Sequence, residues 1–216
     1  YKEKGFTPKV ILNYLSLLGW NPDSEKEIFD QNELINSFQF KQVQKKSAVF
    51  DEKKLLWISQ QHLSEMSVRD LMNEIYTLNP EWGDGLEWDY LKEVVKLIKD
   101  RSKTITEITS MSEIFFKDKL EYDIDLLNKT FNDKSIAIIK DFQSALSSIE
   151  DWSRVEIEKI FEDIMEQQEV AIGQVMKPVR VAISGIPFGP GIFDLILLLG
   201  KEICQIRLRN ALSVIQ

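Results

Sequence analysis

The stretch PVRVAISGIPFGPGIF, residues 178–193, places a loop of three glycines and two prolines between two apolar segments. Glycine lets the backbone adopt positive φ and approach a ligand closely, and proline stiffens a loop. The first segment, residues 179–183, alternates like a short strand, but Pro178 can equally begin a helix. The second segment opens a helix at Ile192. The stretch therefore predicts a rigid loop leading into a helix, and it leaves strand or helix open before the loop.

Helix signals dominate the rest of the chain. Thr7 followed by Pro8 is a typical helix start, and Asp51 is well placed to cap a later helix. Capping-box patterns begin at Ser67 and Ser153, and apolar residues follow each start at helical spacing. Other strand signals are weak. The sequence therefore predicts an all-α protein with ten or eleven helices.

Breaks in the helical pattern suggest how the chain is divided. Residues 79–85 contain asparagine, proline and glycine and predict a loop. Residues 132–134 interrupt the pattern before a further amphipathic segment. We expect subdomain limits near 64–66 and within 118–133.

The composition excludes several classes of protein. Of the 216 residues, 44% are hydrophobic, which allows a real core and argues against a disordered chain. With one cysteine, Cys204, and one histidine, His62, a disulfide framework and a zinc site built on cysteines or several histidines are excluded. No apolar run reaches the ~20 residues that span a bilayer, and the charged residues 1–5 are unlike a signal peptide. We expect a reducing, cytoplasmic setting and no membrane partner.

Charge is distributed unevenly along the chain. The whole chain carries 27 basic and 35 acidic side chains, a net charge of −8, which alone argues against a polyanionic partner. Residues 171–216 hold five basic and two acidic side chains, a net of +3, so the first 170 residues hold the remaining 22 and 33, a net of −11. Two interpretations stay open, a chance fluctuation and a site for an anionic partner.

The sequence contains no recognisable catalytic constellation. It lacks a phosphate-binding glycine motif, and the acidic residues of 150–169 are spread around the polar side of one predicted helix, as on a solvated face. His62 is expected to be a packed or surface residue, and Cys204 a small buried hydrophobe. These features indicate a binding module that is not an enzyme by itself.

The loop at 185–191 is the most distinctive candidate site. Unpaired N–H groups at the start of the following helix favour anions or base edges. Arg180 lies close in sequence, and arginine suits planar hydrogen bonding and stacking on nucleobases. The alternative is an ordinary turn between two helices.

Motifs at both ends of the chain resemble bacterial-type glutamyl-tRNA synthetase. Near the start, the patterns YxxxGFxP at 1–8, NYLxxLGW at 13–20 and FDxxKLxW at 50–57 resemble the region just after that family's Lys-Met-Ser-Lys-Arg-type loop. The end of the chain resembles that family's C-terminal anticodon-binding subdomain. The patterns that carry this resemblance are PxRxAxxG at 178–185, GPxxF at 189–193, LGKE at 199–202 and RL at 207–208. Two departures are Ser59, where the family usually has asparagine, and His62, near a usual aromatic.

The resemblance implies an architecture and an activity. It implies the tail of a helical stem-contact region at 1–65, and two helical anticodon-binding subdomains at 66–125 and 126–216. The family's catalytic domain, with its His-Ile-Gly-His-type motif, would lie before Tyr1. The full class I enzyme activates glutamate with ATP and Mg²⁺ and esterifies the 3′ end of tRNA-Glu, and in some cases of tRNA-Gln. The family also suggests a monomer.

The resemblance also implies site residues. Arg180 corresponds to an arginine that contacts the anticodon, and the loop that lines the anticodon pocket corresponds to Gly189, Pro190 and Ile192. The basic residue of the middle subdomain would be Arg101 or Lys103. Contacts to tRNA stem phosphates are implied at Lys53 and Lys54, and are suggested, with a solvated surface as the equal alternative, at Lys41, Lys45 and Lys46.

Two functions of other classes stay open beside tRNA recognition. One is a helical protein-interaction scaffold that does not bind RNA. The other is a hydrolase that uses the acidic helix, and it would need a pair of carboxylates in a pocket, which the sequence does not show.

Overall fold

The computed structural model describes residues 1–22, 24–44 and 47–215. These residues form eleven α-helices, and their one β-type pairing is an isolated antiparallel bridge between Trp20 and Val43. The predicted all-α class and helix number are therefore confirmed. The chain divides into two compact units, Tyr1–Ser112 and Glu113–Gln216. The functional division at 65 and 125 stays a prediction.

Unit 1 contains six α-helices and two short 3-10 turns. The helices are α1 (Pro8–Gly19), α2 (Gln31–Ser37), α3 (Glu52–Glu65), α4 (Val68–Leu78), α5 (Trp88–Ile98) and α6 (Ile105–Ser112). The 3-10 turns are Phe40–Gln42 and Lys99–Arg101. The predicted loop at 79–85 joins α4 to α5, so that prediction is correct.

Unit 2 contains the other five α-helices. They are α7 (Ile124–Thr130), α8 (Asp133–Ser148), α9 (Arg154–Gln168), α10 (Ile172–Ser184) and α11 (Ile192–Ile215), after a 3-10 turn at Glu113–Phe115. The helices α8, α9, α10 and α11 all pack on one another and form the core of this unit. The long helix α11 is interrupted at Gly200, whose φ is +79°.

Most helix starts follow from local capping chemistry. The Thr7 hydroxyl accepts from the Val10 N–H, and the Asp51 carboxylate accepts from the N–H groups of Lys53 and Lys54. Ser67 also caps its helix, but the second bond of the predicted capping box is not made as expected. In a capping box the Asp70 carboxylate would accept from the Ser67 backbone N–H. Here the carboxylate accepts from the Ser67 hydroxyl at 2.7 Å.

The structure resolves the ambiguity at 179–183 in favour of a helix. Those residues lie in α10, with Pro178 inside the same helix. Val179, Val181, Ala182 and Ile183 are all buried. Within 179–183 only Arg180 is polar, and five residues are too few to separate a helical period from a strand alternation. Over the whole helix the period is present, because Gln174, Lys177 and Arg180 recur at intervals of three residues.

A buried asparagine holds three segments of unit 1 together. The Asn13 side chain of α1 donates through Nδ2 to the carbonyl of Glu27 and accepts through Oδ1 from the Phe29 N–H, both at 3.0 Å. His62 Nε2 of α3 lies 2.8 Å from the same oxygen. Because the two backbone bonds fix the orientation of the amide, His62 must donate through Nε2–H. His62 is therefore packed against Asn13, one of the two placements that we expected, a packed or a surface residue.

Acid should weaken unit 1 through His62. Burial lowers the pKa of His62 below its ordinary 6.5, because the half-buried ring disfavours the charged form. The unfolded chain then binds the proton at a higher pH than the folded chain, so His62 removes stability as the pH falls through 6.5 toward the folded pKa. We expect His62→Gln, which keeps a donor for Asn13, to flatten the fall in urea midpoint between pH 7 and 5. A parallel fall in variant and parent would contradict this assignment.

Arg207 is the central buried polar residue of unit 2. Its side chain is fully buried on α11, and Nη1 donates to the Ile183 carbonyl at 2.7 Å. Nη2 donates to the carbonyls of Ile114 and Lys117, and Nε lies 3.4 Å from that of Asp118. The guanidinium therefore joins α11 to the end of α10 and to residues 114–118.

Loss of the Arg207 guanidinium should strongly destabilise unit 2. We expect Arg207→Ala to lower the free energy of unfolding by about 3 kcal/mol, because several buried carbonyls lose their donor. The matched control is Arg209→Ala, an exposed arginine on the same helix, which should change stability by less than about 0.5 kcal/mol. Urea unfolding followed by circular dichroism measures both. Equal midpoints for the two variants would overturn this role for Arg207.

Candidate nucleic-acid interface

The loop at residues 185–191 is fixed at its start by Gly185 and Ser184. Gly185 ends α10 with φ +73° and donates its N–H to the Val181 carbonyl at 2.9 Å. The buried Ser184 hydroxyl lies 2.8 Å from the carbonyl of Arg180 and 3.0 Å from that of Ile186. The chain therefore leaves α10 on a defined path.

Arg180 braces the far side of the loop. Its Nη1 donates to the Pro190 carbonyl at 2.8 Å, and a side chain added at Gly189 would begin 3.9 Å from the same nitrogen. Gly189 has φ +133°, a conformation that other residues rarely adopt. The structure thus brings together three of the predicted site residues, Arg180, Gly189 and Pro190.

The side chains of the loop differ in accessibility. Pro190 and Ile192 are buried, so their side chains support the loop from below. Phe188 is 70% exposed, and it stands beside the exposed Pro187. We did not single out Phe188 from the sequence. The available signal was an aromatic residue at the centre of a stretch rich in glycine and proline.

The start of α11 carries an acidic side chain, Asp194. A side chain added at Gly191 would lie 2.6 Å from Asp194 Oδ2, so this carboxylate already lies against the first residues of the helix. Asp194 Oδ1 also pairs with Arg154 Nη1 at 2.8 Å. The affinity of the N–H groups at this helix start for anions or base edges stays a prediction, and the negative charge of Asp194 in the first turn opposes an anion there.

Arg101 and Lys103 extend from a rigid turn in unit 1. Both are exposed and alternate with the buried Ser102 and Thr104. The Thr104 hydroxyl accepts from the Glu107 N–H at 3.1 Å and so caps α6. The backbone therefore presents both cations on its outer side.

The predicted stem contacts differ in their availability. Lys53 is exposed on the first turn of α3, whereas the neighbouring Lys54 pairs with Glu27. Lys41 is exposed on its 3-10 turn. Lys45 and Lys46 lie outside the described residues.

Only part of the positive charge of residues 171–216 reaches the surface. Arg207 is buried, and Lys201 Nζ donates to the carbonyls of Ser147 and Ile149 at the end of α8. Lys177 and Arg209 are exposed. Counting charges in the sequence therefore overstates the positive surface.

Cys204 is buried and unreactive at neutral pH. Burial raises the pKa of Cys204 to about 12, so its thiol stays protonated near neutral pH. Among the described residues, no group of three or more His, Cys, Asp or Glu side chains could hold a metal ion. No helix in the described part of the chain is long and apolar enough to cross a membrane.

Comparison with known proteins agrees with the geometry of unit 2. The family described as "Anticodon binding domain" matches residues 59–212, and the family "tRNA synthetases class I (E and Q), catalytic domain" matches residues 1–57. The chain therefore belongs to the anticodon-binding domain family of class I aminoacyl-tRNA synthetases.

The curated relatives narrow this assignment. Glutamate–tRNA ligase of Flavobacterium johnsoniae is 33% identical over 215 residues, which are 100% of this chain and 43% of the relative. That of Desulforudis audaxviator is 35% identical over 223 residues, covering 99% of this chain and 44% of the relative. Within this class, the chain is similar over its whole length to glutamate–tRNA ligases, and it spans less than half the length of these relatives.

A solved structure agrees with this similarity. The glutamate tRNA ligase from Elizabethkingia meningosepticum, crystallised in complex with its amino acid, has a TM-score of 0.87 and 26% identity. The match covers 100% of this chain and 43% of that one.

The brace between Arg180 and Pro190 predicts a local effect of substitution. We expect Arg180→Met to raise hydrogen–deuterium exchange in the loop at 185–191 by about tenfold, because a charge-assisted bond worth about 1.5 kcal/mol is lost. Lys177→Met, at an exposed position on the same helix, is the control. Equal exchange in the two variants would show that the bond does not order the loop.

Proposed function

We propose that this chain recognises the anticodon arm of tRNA-Glu on behalf of a glutamate–tRNA ligase. The observation that carries the proposal is the ordered loop between α10 and α11, which combines the Arg180 brace with the exposed Phe188. The membership of this chain in the anticodon-binding domain family supports the proposal.

The chemistry of the loop suits an unstacked RNA base. Anticodon bases are single-stranded, so their edges can be hydrogen-bonded and their faces stacked on aromatic rings. We assign base-edge contact to Arg180 and stacking to Phe188, with Gly189 permitting close approach. Pro190 and Ile192 hold the surface in shape. A preformed surface of this kind loses little entropy when it binds.

The candidate residues of unit 1 would contact tRNA nucleotides other than those bound by the loop at 185–191. Arg101 or Lys103 would contact a further anticodon base. Lys53 would contact a stem phosphate, with a smaller contribution from Lys54 because of its pairing with Glu27. Phosphate contacts position the tRNA without specifying its sequence.

The ligation reaction itself is a proposal for the whole enzyme. There, ATP and Mg²⁺ would activate glutamate for transfer to the 3′ end of the tRNA. The residues of this chain bind and orient the tRNA. We further propose a cytoplasmic monomer. A helical scaffold without RNA affinity is not favoured, because it leaves the family membership without a role.

Binding of tRNA-Glu tests the proposal. We expect Arg180→Lys to lower affinity by about tenfold or more, and to reduce discrimination against an anticodon-substituted tRNA, because lysine cannot form a bidentate contact. Phe188→Leu should lower affinity by about five- to tenfold through lost stacking.

The matched control for these variants is Lys177→Gln, which removes one exposed charge from α10. This variant should bind every tRNA slightly more weakly than the parent, and by the same factor for each tRNA. Unchanged anticodon selectivity in both Arg180→Lys and Phe188→Leu would reject the assignment of this loop.

A further inference from the structure

A polar groove between α8 and α11 has no role in the recognition described above. It has a volume of about 540 Å³. Its lining residues are Lys140, Gln143, Ser144 and Ser147 on α8, and Lys201, Gln205 and Arg209 on α11. None of them is acidic, although the chain has a net charge of −8. We call this feature the α8–α11 groove.

The floor of the α8–α11 groove is rigid. Gln205 Nε2 donates to the Gln143 carbonyl at 2.8 Å and lies 3.0 Å from the Ser147 hydroxyl. Lys201 Nζ donates to the carbonyls of Ser147 and Ile149 at 3.0 and 2.8 Å. These carbonyls belong to the end of α8, where a helix carries partial negative charge. Lys201 thus neutralises the charge that would otherwise repel an anion.

Two cations remain available at the opening of the groove. Lys140 and Arg209 are both exposed. Among the residues that the structure describes, Arg209 bonds only through Nε, to the Gln205 carbonyl at 3.3 Å. Within the described ranges, neither the Lys140 ammonium nor the terminal nitrogens of Arg209 have a hydrogen-bond or ion-pair partner. The groove therefore presents two exposed cations beside amide and hydroxyl groups that are hydrogen-bonded within the protein.

We propose that the α8–α11 groove binds phosphates of the tRNA backbone, with Lys140 and Arg209 as the contacting residues. Backbone recognition typically combines lysine and arginine with serine and glutamine side chains, and the groove holds all four types. The proposal rests on the proposed function for the identity of the RNA. It differs from that function because it concerns phosphates and not anticodon bases.

The position of the groove on α11 is compatible with one RNA contacting both sites. The helix begins at Ile192, beside the protein loop at 185–191, and carries Arg209 17 residues later. At 1.5 Å per residue this separation is at most about 25–30 Å along the helix, including the break at Gly200. We therefore assign the groove to backbone outside the anticodon loop.

A salt series with a paired variant tests the groove. The variant is Lys140→Gln with Arg209→Gln, which leaves the Lys201 bonds intact. The control is Lys129→Gln with Lys159→Gln, which removes the same charge from exposed positions on α7 and α9. Affinities for tRNA-Glu and for an anticodon-substituted tRNA are measured for each protein, and circular dichroism checks that each variant is folded.

We expect the groove variant to bind both tRNAs about tenfold more weakly at ~0.1 M salt. The slope of log affinity against log salt should fall by about 1.4–1.8, because two phosphate contacts are lost. The control pair should change the slope by less than half that amount. With the parent protein, ethylation of certain phosphates outside the tRNA anticodon loop should interfere with binding. This interference should disappear in the groove variant alone.

The outcomes separate this proposal from the proposed function. If anticodon changes and Arg180→Lys leave binding unaltered while the groove variant weakens it, anticodon reading fails and the groove stands. If the groove variant behaves like the control pair, the groove is overturned and anticodon reading is untouched. The absence of any salt-dependent RNA affinity in the parent chain would overturn both.

Discussion

The burial of the Arg207 guanidinium among backbone carbonyls is the constraint on which unit 2 depends. A guanidinium tolerates the interior only when its donors find acceptors, and here the acceptors come from α10 and from residues 114–118. Tyr122 adds to the same arrangement, since its hydroxyl lies 3.0 Å from the carbonyl of Arg207 itself. The end of α10, where the loop at 185–191 begins, is therefore positioned by a residue far along α11.

Basic residues serve the structure as well as the surface in this acidic chain. Lys99 donates to the carbonyls of Ser64 and Met66 at the end of α3, and Lys201 acts in the same way on α8. Arg207 does so for the last turn of α10. Each cation satisfies carbonyls that a helix end leaves unpaired and opposes the partial negative charge there. Net charge is thus a poor guide to which surface can meet RNA.

The sequence predicted those features that are decided by neighbouring residues. Helix starts at Thr7 and Asp51 were predictable, because a capping side chain bonds to N–H groups two or three positions away. The loop at 185–191 was visible for the same reason, through its glycines and prolines. Helix α10 was ambiguous because the five residues at 179–183 are too few to show a helical period. The interior role of Arg207 could not be predicted, since its acceptors lie 24 to 93 residues away.

The sequence was similarly limited at the candidate site. It indicated Arg180 and the loop, but the bond between Arg180 and the Pro190 carbonyl depends on the path of the loop in space. The ion pair between Asp194 and Arg154 was also hidden, because the two residues lie 40 positions apart in the sequence. The sequence therefore predicted what neighbouring residues decide, and it did not predict the contacts made when the loop folds back on α10.

The break at Gly200 has a consequence for how this fold can change over evolution. In an uninterrupted helix, inserting one residue turns everything beyond it by about 100°. Such a rotation would swing Arg207 out of the core. Gly200, with φ +79°, joins two helical segments whose rotations are not locked together. The segment beneath the loop can therefore gain or lose length at this joint, while the segment that carries Arg207 keeps its register.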